Sequence, residues 1–327
     1  MSSVTSGPSA VTVKVPAKVN LQLAVGPVRA DGFHGVVTVY QAISLFDEVT
    51  VRPATQRTPV LVSGEDAASV PTGPTNLASK AVTALARATG QRERGAATVQ
   101  IEIRKRIPMA AGLAGGSADA AAALVACNEL WRTGLSQNDL CEVAAGLGSD
   151  VPFALIGGTA VGRGRGEQLT AALVAGTYHW ALAFAAGGLS TPEVYATCDR
   201  LRAARAAGAG DGTVSTGAFD PELSGPLMTA LRSGDPAAVG PALANDLQPA
   251  AITLRPELRR ALTEGREHGA LGAIVSGSGP TCAFLARDAR HARDLAVSLT
   301  GAGICRGVAV ASGPVPGAAV VAAGEPA

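Results

Sequence analysis

At 327 residues the chain is long for one domain and comfortable for two. Apolar residues make up 47%, charged residues 16% and aromatics 3%, so the core is expected to be built from Ala, Val and Leu. With 27 basic and 26 acidic residues the formal net charge is +1, which argues against a nucleic-acid or membrane-surface footprint and leaves small polar molecules as partners.

Residues 1–10 have neither a basic n-region nor a long apolar run and are not read as a signal peptide. Residues 171–189 carry no formal charge, but Gly176, Thr177, His179 and Gly187-Gly188 cut them into pieces shorter than the ~20 apolar residues of a membrane span. A loop and a buried strand, 178–186, are expected there. Cys127, Cys141, Cys198, Cys282 and Cys305 are scattered without Cys-x-x-Cys spacing, as small core residues of a reducing cytoplasm are. His34, His179, His268 and His291 show no ligand spacing, so no protein-built metal site is expected.

In chain order, Val11-Thr12-Val13-Lys14-Val15 alternates as a strand does until Pro16 interrupts it. In the next strand, 17–23, Val19, Leu21 and Leu23 share one face and Lys18, Asn20 and Gln22 the other. Such a polar row ordinarily marks a solvated face. Two details single it out: only four lysines occur (Lys14, Lys18, Lys80, Lys105), and Pro16 fixes the entry. A compact ammonium suits a place beside a transferring phosphoryl group. Arg29-Ala30-Asp31-Gly32-Phe33-His34 reads as an Asp-Gly turn carrying an aromatic and a histidine. A hairpin-like pair of strands over 36–51, a helix over 77–88 opened by Asn76, and a strand over 98–104 follow.

That strand runs into Pro108-Met109-Ala110-Ala111-Gly112-Leu113-Ala114-Gly115-Gly116-Ser117-Ala118-Asp119-Ala120 and an alanine-rich helical run to about Trp131. Glycines let backbone N–H groups approach a ligand, and a helix N-terminus offers unpaired donors with a partial positive charge. Ser117 stands where a helix cap would, its hydroxyl suited to the cap, a phosphate or a metal. A Cβ branch at Gly115 is expected to obstruct a phosphate. Asp119 is explained by the helix dipole. The loop is neither a Walker A loop nor a dinucleotide fingerprint. Taken alone, it fits phosphate binding and a tight packing turn equally.

A helix over 137–145 ends at Gly146, and Asp150 precedes an apolar turn containing Pro152, the setting of an N-cap. Residues 157–167 read as a strand and a turn whose Arg163 and Arg165 are taken as surface groups. The second half opens with the strand at 178–186, then a loop 187–192, a helix, a Gly/Thr/Ser-rich loop at about 207–218 and short helices. A helix over 256–268 follows Asn245-Asp246-Leu247. Strands 270–276 and 281–286 flank the glycine turn Ser276-Gly277-Ser278-Gly279-Pro280-Thr281, before a helix over 288–299 and a strand over 304–310. Residues after about 313 are expected to fray. Hairpins outnumber βαβ crossovers, which predicts an α+β fold.

Four segments in this order resemble the GHMP kinase superfamily: Pro16-Ala17-Lys18-Val19-Asn20-Leu21, the turn from Arg29 to His34, the loop 108–118, and Gly148-Ser149-Asp150-Val151-Pro152. Gly277-Ser278-Gly279-Pro280-Thr281 is similar to its third motif, and the likeness spans about residues 12–312. The resemblance implies an N-terminal domain over 12–172 with an ATP loop, a C-terminal domain over 176–312, a site in the cleft between them, and flexible tails at 1–11 and 313–327. It implies transfer of the γ-phosphoryl group of ATP, with Mg²⁺, to the 2-hydroxyl of the methylerythritol part of a cytidine diphosphate derivative in non-mevalonate isoprenoid synthesis. A cytoplasmic enzyme is expected, a monomer or weak homodimer, with no nucleic-acid or membrane partner.

By the same resemblance, Lys18 and Asp150 are the catalytic pair, and residues 108–118 with Asn76 hold the nucleotide. Asn20, Phe33, His34, Thr191, Pro192 and Tyr195 lie on the acceptor side, where Phe33 and Tyr195 sandwich the cytosine and His34 hydrogen-bonds it. The chain departs from the pattern at Phe33, where Tyr is frequent, and at the loop alanines, where Gly is frequent. Another GHMP kinase of homoserine or mevalonate type, and a nucleotide-binding regulator on the same fold, stay open as rivals.

Overall fold

In the computed structural model, residues 8–56, 58–91, 98–208 and 220–321 are described. Most of the loop expected at 207–218 lies outside them. Two long antiparallel strands, β1 (Val11–Val28) and β2 (His34–Pro53), form the axis of the first half, paired from Val11↔Val51 to Val28↔His34. Pro16 does not end β1. A register shift between Pro16 and Ala17 absorbs the missing N–H as a bulge, and the strand continues with Lys18 opposite Ala42. The hairpin expected over 36–51 is one strand whose outer partner changes along its length. Residues 38–41 of β2 pair with β5 (Thr159–Arg163), and residues 48–53 pair with β4 (Val99–Lys105). β3 (Leu61–Gly64) and β6 (Gln168–Ala171) complete the outer edges.

α1 (Leu77–Ala88), α2 (Gly115–Trp131), α3 (Gln137–Ala145) and α4 (Val151–Ile156) cover this sheet. α2 is buried nearly all round: Ala118 and Ala120 to Ala123 have at most 1% exposure. Its small side chains let α1, α4 and the sheet approach closely, which is how a chain with so few aromatics fills its core. α3 opens with a capping box between Ser136 and Asp139, as its sequence predicts.

In the second half, β7 (Tyr178–Phe184) lies in an antiparallel sheet of order β11-β7-β10-β9, with β9 (Gly272–Val275), β10 (Cys282–Ala286) and β11 (Gly307–Gly313). α5 (Thr191–Gly208), α6 (Gly225–Ser233), α7 (Pro236–Ala242), α8 (Gln248–Leu254), α9 (Glu257–Glu267) and α10 (Ala289–Gly301) accompany it. α8 escapes the sequence reading because Pro249 sits in its first turn, where the ring is tolerated.

The halves are not cleanly separate. β8 (Ala244–Asn245) pairs with β1 at Gln22 and Leu23, and one core cluster contains Val19, Val39 and Ile43 together with Trp180, Leu182 and Leu285. Residues 314–321 do not fray. Gly158 donates to Val315 O (2.7 Å), Ala318 donates to Ala154 O (2.9 Å), and β12 (Ala319–Val320) pairs with β1. Among the described residues no helix is long and apolar enough to cross a membrane.

Candidate active site

Lys18, Asn20 and Gln22 do share a face of β1, but that face is not solvated; they are 6, 2 and 5% exposed. A polar row buried against the second half of the chain must be satisfied by protein. Lys18 Nζ donates to Asn20 Oδ1 (2.6 Å) and to Gly112 O (3.0 Å), and lies 3.8 Å from Asp150 Oδ2. Asn20 Nδ2 donates to Thr38 Oγ1 (2.8 Å), whose hydroxyl donates to Gln22 O (2.7 Å). Both ends of the Asn20 amide are thus used to orient Lys18 and the strand. Burial lowers the Lys18 pKa, with the Asp150 carboxylate pulling the other way.

Asp150 stands at the head of α4 without capping it. Its backbone is already helical (φ −88°, ψ −9°), and its side chain makes no cap hydrogen bond. The carboxylate instead turns into the cleft, where Tyr40 OH donates to Oδ1 (2.9 Å). Tyr40 stacks on buried Phe153, with centroids 4.8 Å apart. Gly166 lies so near the Tyr40 hydroxyl that a Cβ there would stand 2.3 Å away. Glycine at 166 therefore makes room for Tyr40.

The glycine loop joins β4 to α2 over a buried charge cluster. Lys105 Nζ donates to Asp119 Oδ2 (2.8 Å) and to Asp47, while Asp47 Oδ1 accepts from the N–H groups of Arg106 (2.6 Å) and Ile107 (2.9 Å). Asp119 is thus an ion-pair partner rather than a dipole-complementing surface acid. Its Oδ1 has no partner, and burial raises its pKa with Asp47 adding and Lys105 opposing. Ala110 (φ 49°) and Ala114 (φ 60°) adopt the left-handed region that glycine favours, at a cost of roughly 1–2 kcal/mol each.

Ala114, not Ser117, is at the cap position, and it supplies no side-chain bond. The first N–H groups of α2 are left for a ligand. Ser117 lies within the first turn and lines the cleft. A Cβ on Gly115 would point inward, 3.1 Å from Lys105 Nζ and Ile107 Cγ2, whereas one on Gly116 would meet nothing within 4 Å. The open position is Gly116. The loop is held to the second glycine turn: Ser276 Oγ donates to Gly112 O (3.1 Å), and Thr281 donates to Ala111 O (3.3 Å).

One cavity of about 840 Å³ collects these groups. Lys18, Asn20, Tyr40 and Asp150 line it together with Ala110, Ala111, Gly112, Ala114, Gly115, Gly116 and Ser117. Phe33, His34, Thr191, Pro192 and Tyr195 form the other end. Phe33 is 54% exposed, with the Arg165 guanidinium 5.1 Å from its centroid, so Arg165 belongs to the cleft rather than to a plain surface turn. Thr191 Oγ1 and Ser278 Oγ share a hydrogen bond of 2.9 Å.

Pro108, Met109, Leu113 and Ala118 do not line the cavity and act as loop framework. Asn76 is not brought in either. Its Oδ1 caps α1 through Ala78 N (2.8 Å) and its Nδ2 donates to Pro71 O (2.7 Å), so each amide end has a structural partner, and Leu77 lines the cleft. Sequence reasoning missed Tyr40, Thr38 and Asp199. Tyr40 and Thr38 sit two apart on β2, the spacing of one strand face. Asp199 is four residues after Tyr195 on α5, the spacing of one helix face.

Among the described residues no cluster of three metal-ligating side chains occurs. The Ser117 hydroxyl and the Asp150 carboxylate line the cleft beside the loop, oxygen donors of the kind a hard divalent cation takes.

Family models for the GHMP kinase N-terminal domain and the GHMP kinase C-terminal region match residues 76–158 and 227–304. A 4-diphosphocytidyl-2-C-methyl-D-erythritol kinase of Thermobifida fusca is 54% identical over 327 residues, covering 97% of this chain and 100% of the relative. The crystal structure of a 4-(cytidine 5'-diphospho)-2C-methyl-D-erythritol kinase superposes with TM-score 0.71 at 32% identity, covering 92% of this chain and 98% of the other. A homoserine kinase from Cytophaga hutchinsonii superposes with TM-score 0.70 at 19% identity over 98% of this chain and 100% of its own, a likeness of fold.

Proposed function

The chain belongs to the GHMP kinases, within their 4-diphosphocytidyl-2-C-methyl-D-erythritol kinase family, and from that premise we propose how its cleft divides the labour of the reaction. The enzyme uses ATP to phosphorylate the 2-hydroxyl of 4-diphosphocytidyl-2-C-methyl-D-erythritol, a step of non-mevalonate isoprenoid synthesis. The single observation that carries the assignment of roles is the meeting of Lys18 and Asp150, 3.8 Å apart, beside the uncapped N-terminus of α2.

Phosphoryl transfer asks a protein for alignment and charge neutralisation. The amides at the start of α2 hold the ATP phosphates, with Gly116 leaving room for them. Asp150 orients the acceptor hydroxyl and receives its proton at Oδ2, the oxygen that Tyr40 does not occupy. Lys18, fixed by Asn20 and Gly112 O, places an ammonium where negative charge develops. Ser117 and Asp150 would be the protein donors to Mg²⁺ beside the ATP phosphates, and the ion would supply further charge neutralisation. At the far end, Phe33 and Tyr195 flank the cytosine and His34 contacts its edge; stacking contributes roughly 1–3 kcal/mol per base. We place the enzyme in the cytoplasm.

Incubation with ATP, Mg²⁺ and 4-diphosphocytidyl-2-C-methyl-D-erythritol is expected to yield the 2-phosphate and ADP. Phe33→Ala and Tyr195→Ala are expected to raise KM for that acceptor and leave KM for ATP unchanged. If both variants keep the wild-type acceptor KM, the base does not lie between these rings.

A further inference from the structure

We propose that Asp199 sets the base preference of the cleft by fixing the tautomer of His34, so that the pocket selects a pyrimidine that presents an amino group over one that presents a carbonyl. The inference rests on the reading that His34 faces the acceptor's base. His34 opens β2, and its side chain is 10% exposed, with its ring 4.8 Å from that of Tyr195. Nε2 lies 3.1 Å from each Asp199 carboxylate oxygen. An ionised carboxylate only accepts hydrogen bonds, so Nε2 carries the hydrogen. In the neutral imidazole the remaining nitrogen, Nδ1, then presents a lone pair.

Nδ1 belongs to a ring that lines the cavity. It has no hydrogen-bond partner among the described residues, and it is not one of their buried unpartnered side-chain atoms, which are Asp119 Oδ1, Trp131 Nε1 and Thr281 Oγ1. A nitrogen without a partner among the described residues, on a ring that lines the cavity, is placed to accept from a ligand there. The 4-amino group of cytosine donates to such an acceptor. The 4-carbonyl of uracil meets it lone pair to lone pair, forfeiting the hydrogen bond and leaving both groups unpaired. Stacking cannot make this distinction, because every base offers a π-face. A site built to receive an N–H rejects the analogue lacking it far more strongly than an apolar wall does. α5 supplies both parts of the device, since Tyr195 and Asp199 stand four residues apart on one helical face.

The test compares kcat and KM for the cytidylyl acceptor and its uridylyl analogue, with KM for ATP as control, in wild type, Asp199→Asn, Asp199→Ala and His34→Ala. The side-chain amide of the Asn variant can donate to Nε2, which moves the hydrogen to Nδ1 and turns the acceptor into a donor. The ratio of kcat/KM for cytidylyl over uridylyl acceptor is expected to fall at least about tenfold in Asp199→Asn, through KM and with KM for ATP unchanged. Asp199→Ala lowers the ratio as well, without favouring the uridylyl analogue. A structural role alone would lower stability and leave the ratio intact. A wild-type ratio in both folded Asp199 variants, with His34→Ala still weakening the cytidylyl acceptor, overturns the inference and spares the base site. A wild-type cytidylyl KM in His34→Ala overturns both.

Discussion

An aspartate before a helical turn is usually a cap, and Asp150 shows how a backbone angle decides otherwise. With its own φ and ψ already helical and its carboxylate on Tyr40, the side chain contributes nothing to the α4 terminus. Asp150→Asn is therefore expected to lower kcat by about 10²–10⁴-fold while ATP binding and the melting temperature stay near wild type. Near-normal turnover in that variant would remove Asp150 from the chemistry. At this scale the sequence is informative where function follows local periodicity, as for Lys18 and Asn20 on alternate positions of β1. It is silent on Tyr40, whose partner lies 110 residues away, and right that Asn76 opens α1, which it caps through Ala78 N.

The glycine loop illustrates the next scale, where an element has two sides. Its strand, turn and helix are legible in the sequence, but which glycine faces the ligand is not, because that depends on where α2 begins. Starting at Gly115 turns that residue onto Lys105 and leaves Gly116 facing the cleft. Gly116→Val is expected to raise KM for ATP at least about tenfold with a wild-type melting temperature. Gly115→Val presses on the buried ion cluster and costs about 1–3 kcal/mol of stability; equal effects of the two variants on both measurements would refute the assignment.

Beneath the loop, two carboxylates share one ammonium, and Asp119 bears the cost with an unpaired oxygen. A carboxyl whose pKa is raised by folding gains protons on folding. Its stability contribution is therefore most favourable below the ordinary carboxylate range, and it declines as pH rises toward the raised value. Asp119→Asn removes that decline. Urea unfolding at pH 5 and pH 8 is expected to show the variant gaining on wild type at the higher pH. A larger advantage at pH 5 would contradict the assignment.

At the scale of the molecule, the α+β class and most helices can be read from periodicity and caps, whereas the closure of the fold cannot. Gly- and Pro-rich residues 314–321 have the composition of a fraying tail, yet they cross from β11 back to the first sheet. Composition reports intrinsic stiffness and polarity, not whether a groove awaits the segment. Here the groove is walled by α4. Pro316 bridges to Gly157, Ala318 donates to Ala154 O, and a Cβ on Gly317 would stand 2.3 Å from Leu155 O. Val315 and Gly158 join the same strap to Ala42 of β2, the residue opposite Lys18 on β1. The strap therefore supports the helix that Asp150 heads and the strand pair that carries Lys18. Removing residues 314–327 deletes several main-chain hydrogen bonds at about 0.5–1.5 kcal/mol each and uncovers apolar surface, a loss of roughly 3–5 kcal/mol in all. The truncated chain is expected to melt several degrees lower. Because the strap's main-chain bonds go to α4, the turn after it and the β1–β2 pair, kcat should fall more than affinity for ATP. Calorimetry beside steady-state kinetics checks both halves of this expectation. A truncated enzyme with unchanged melting temperature and kcat would show that the strap merely lies on the surface.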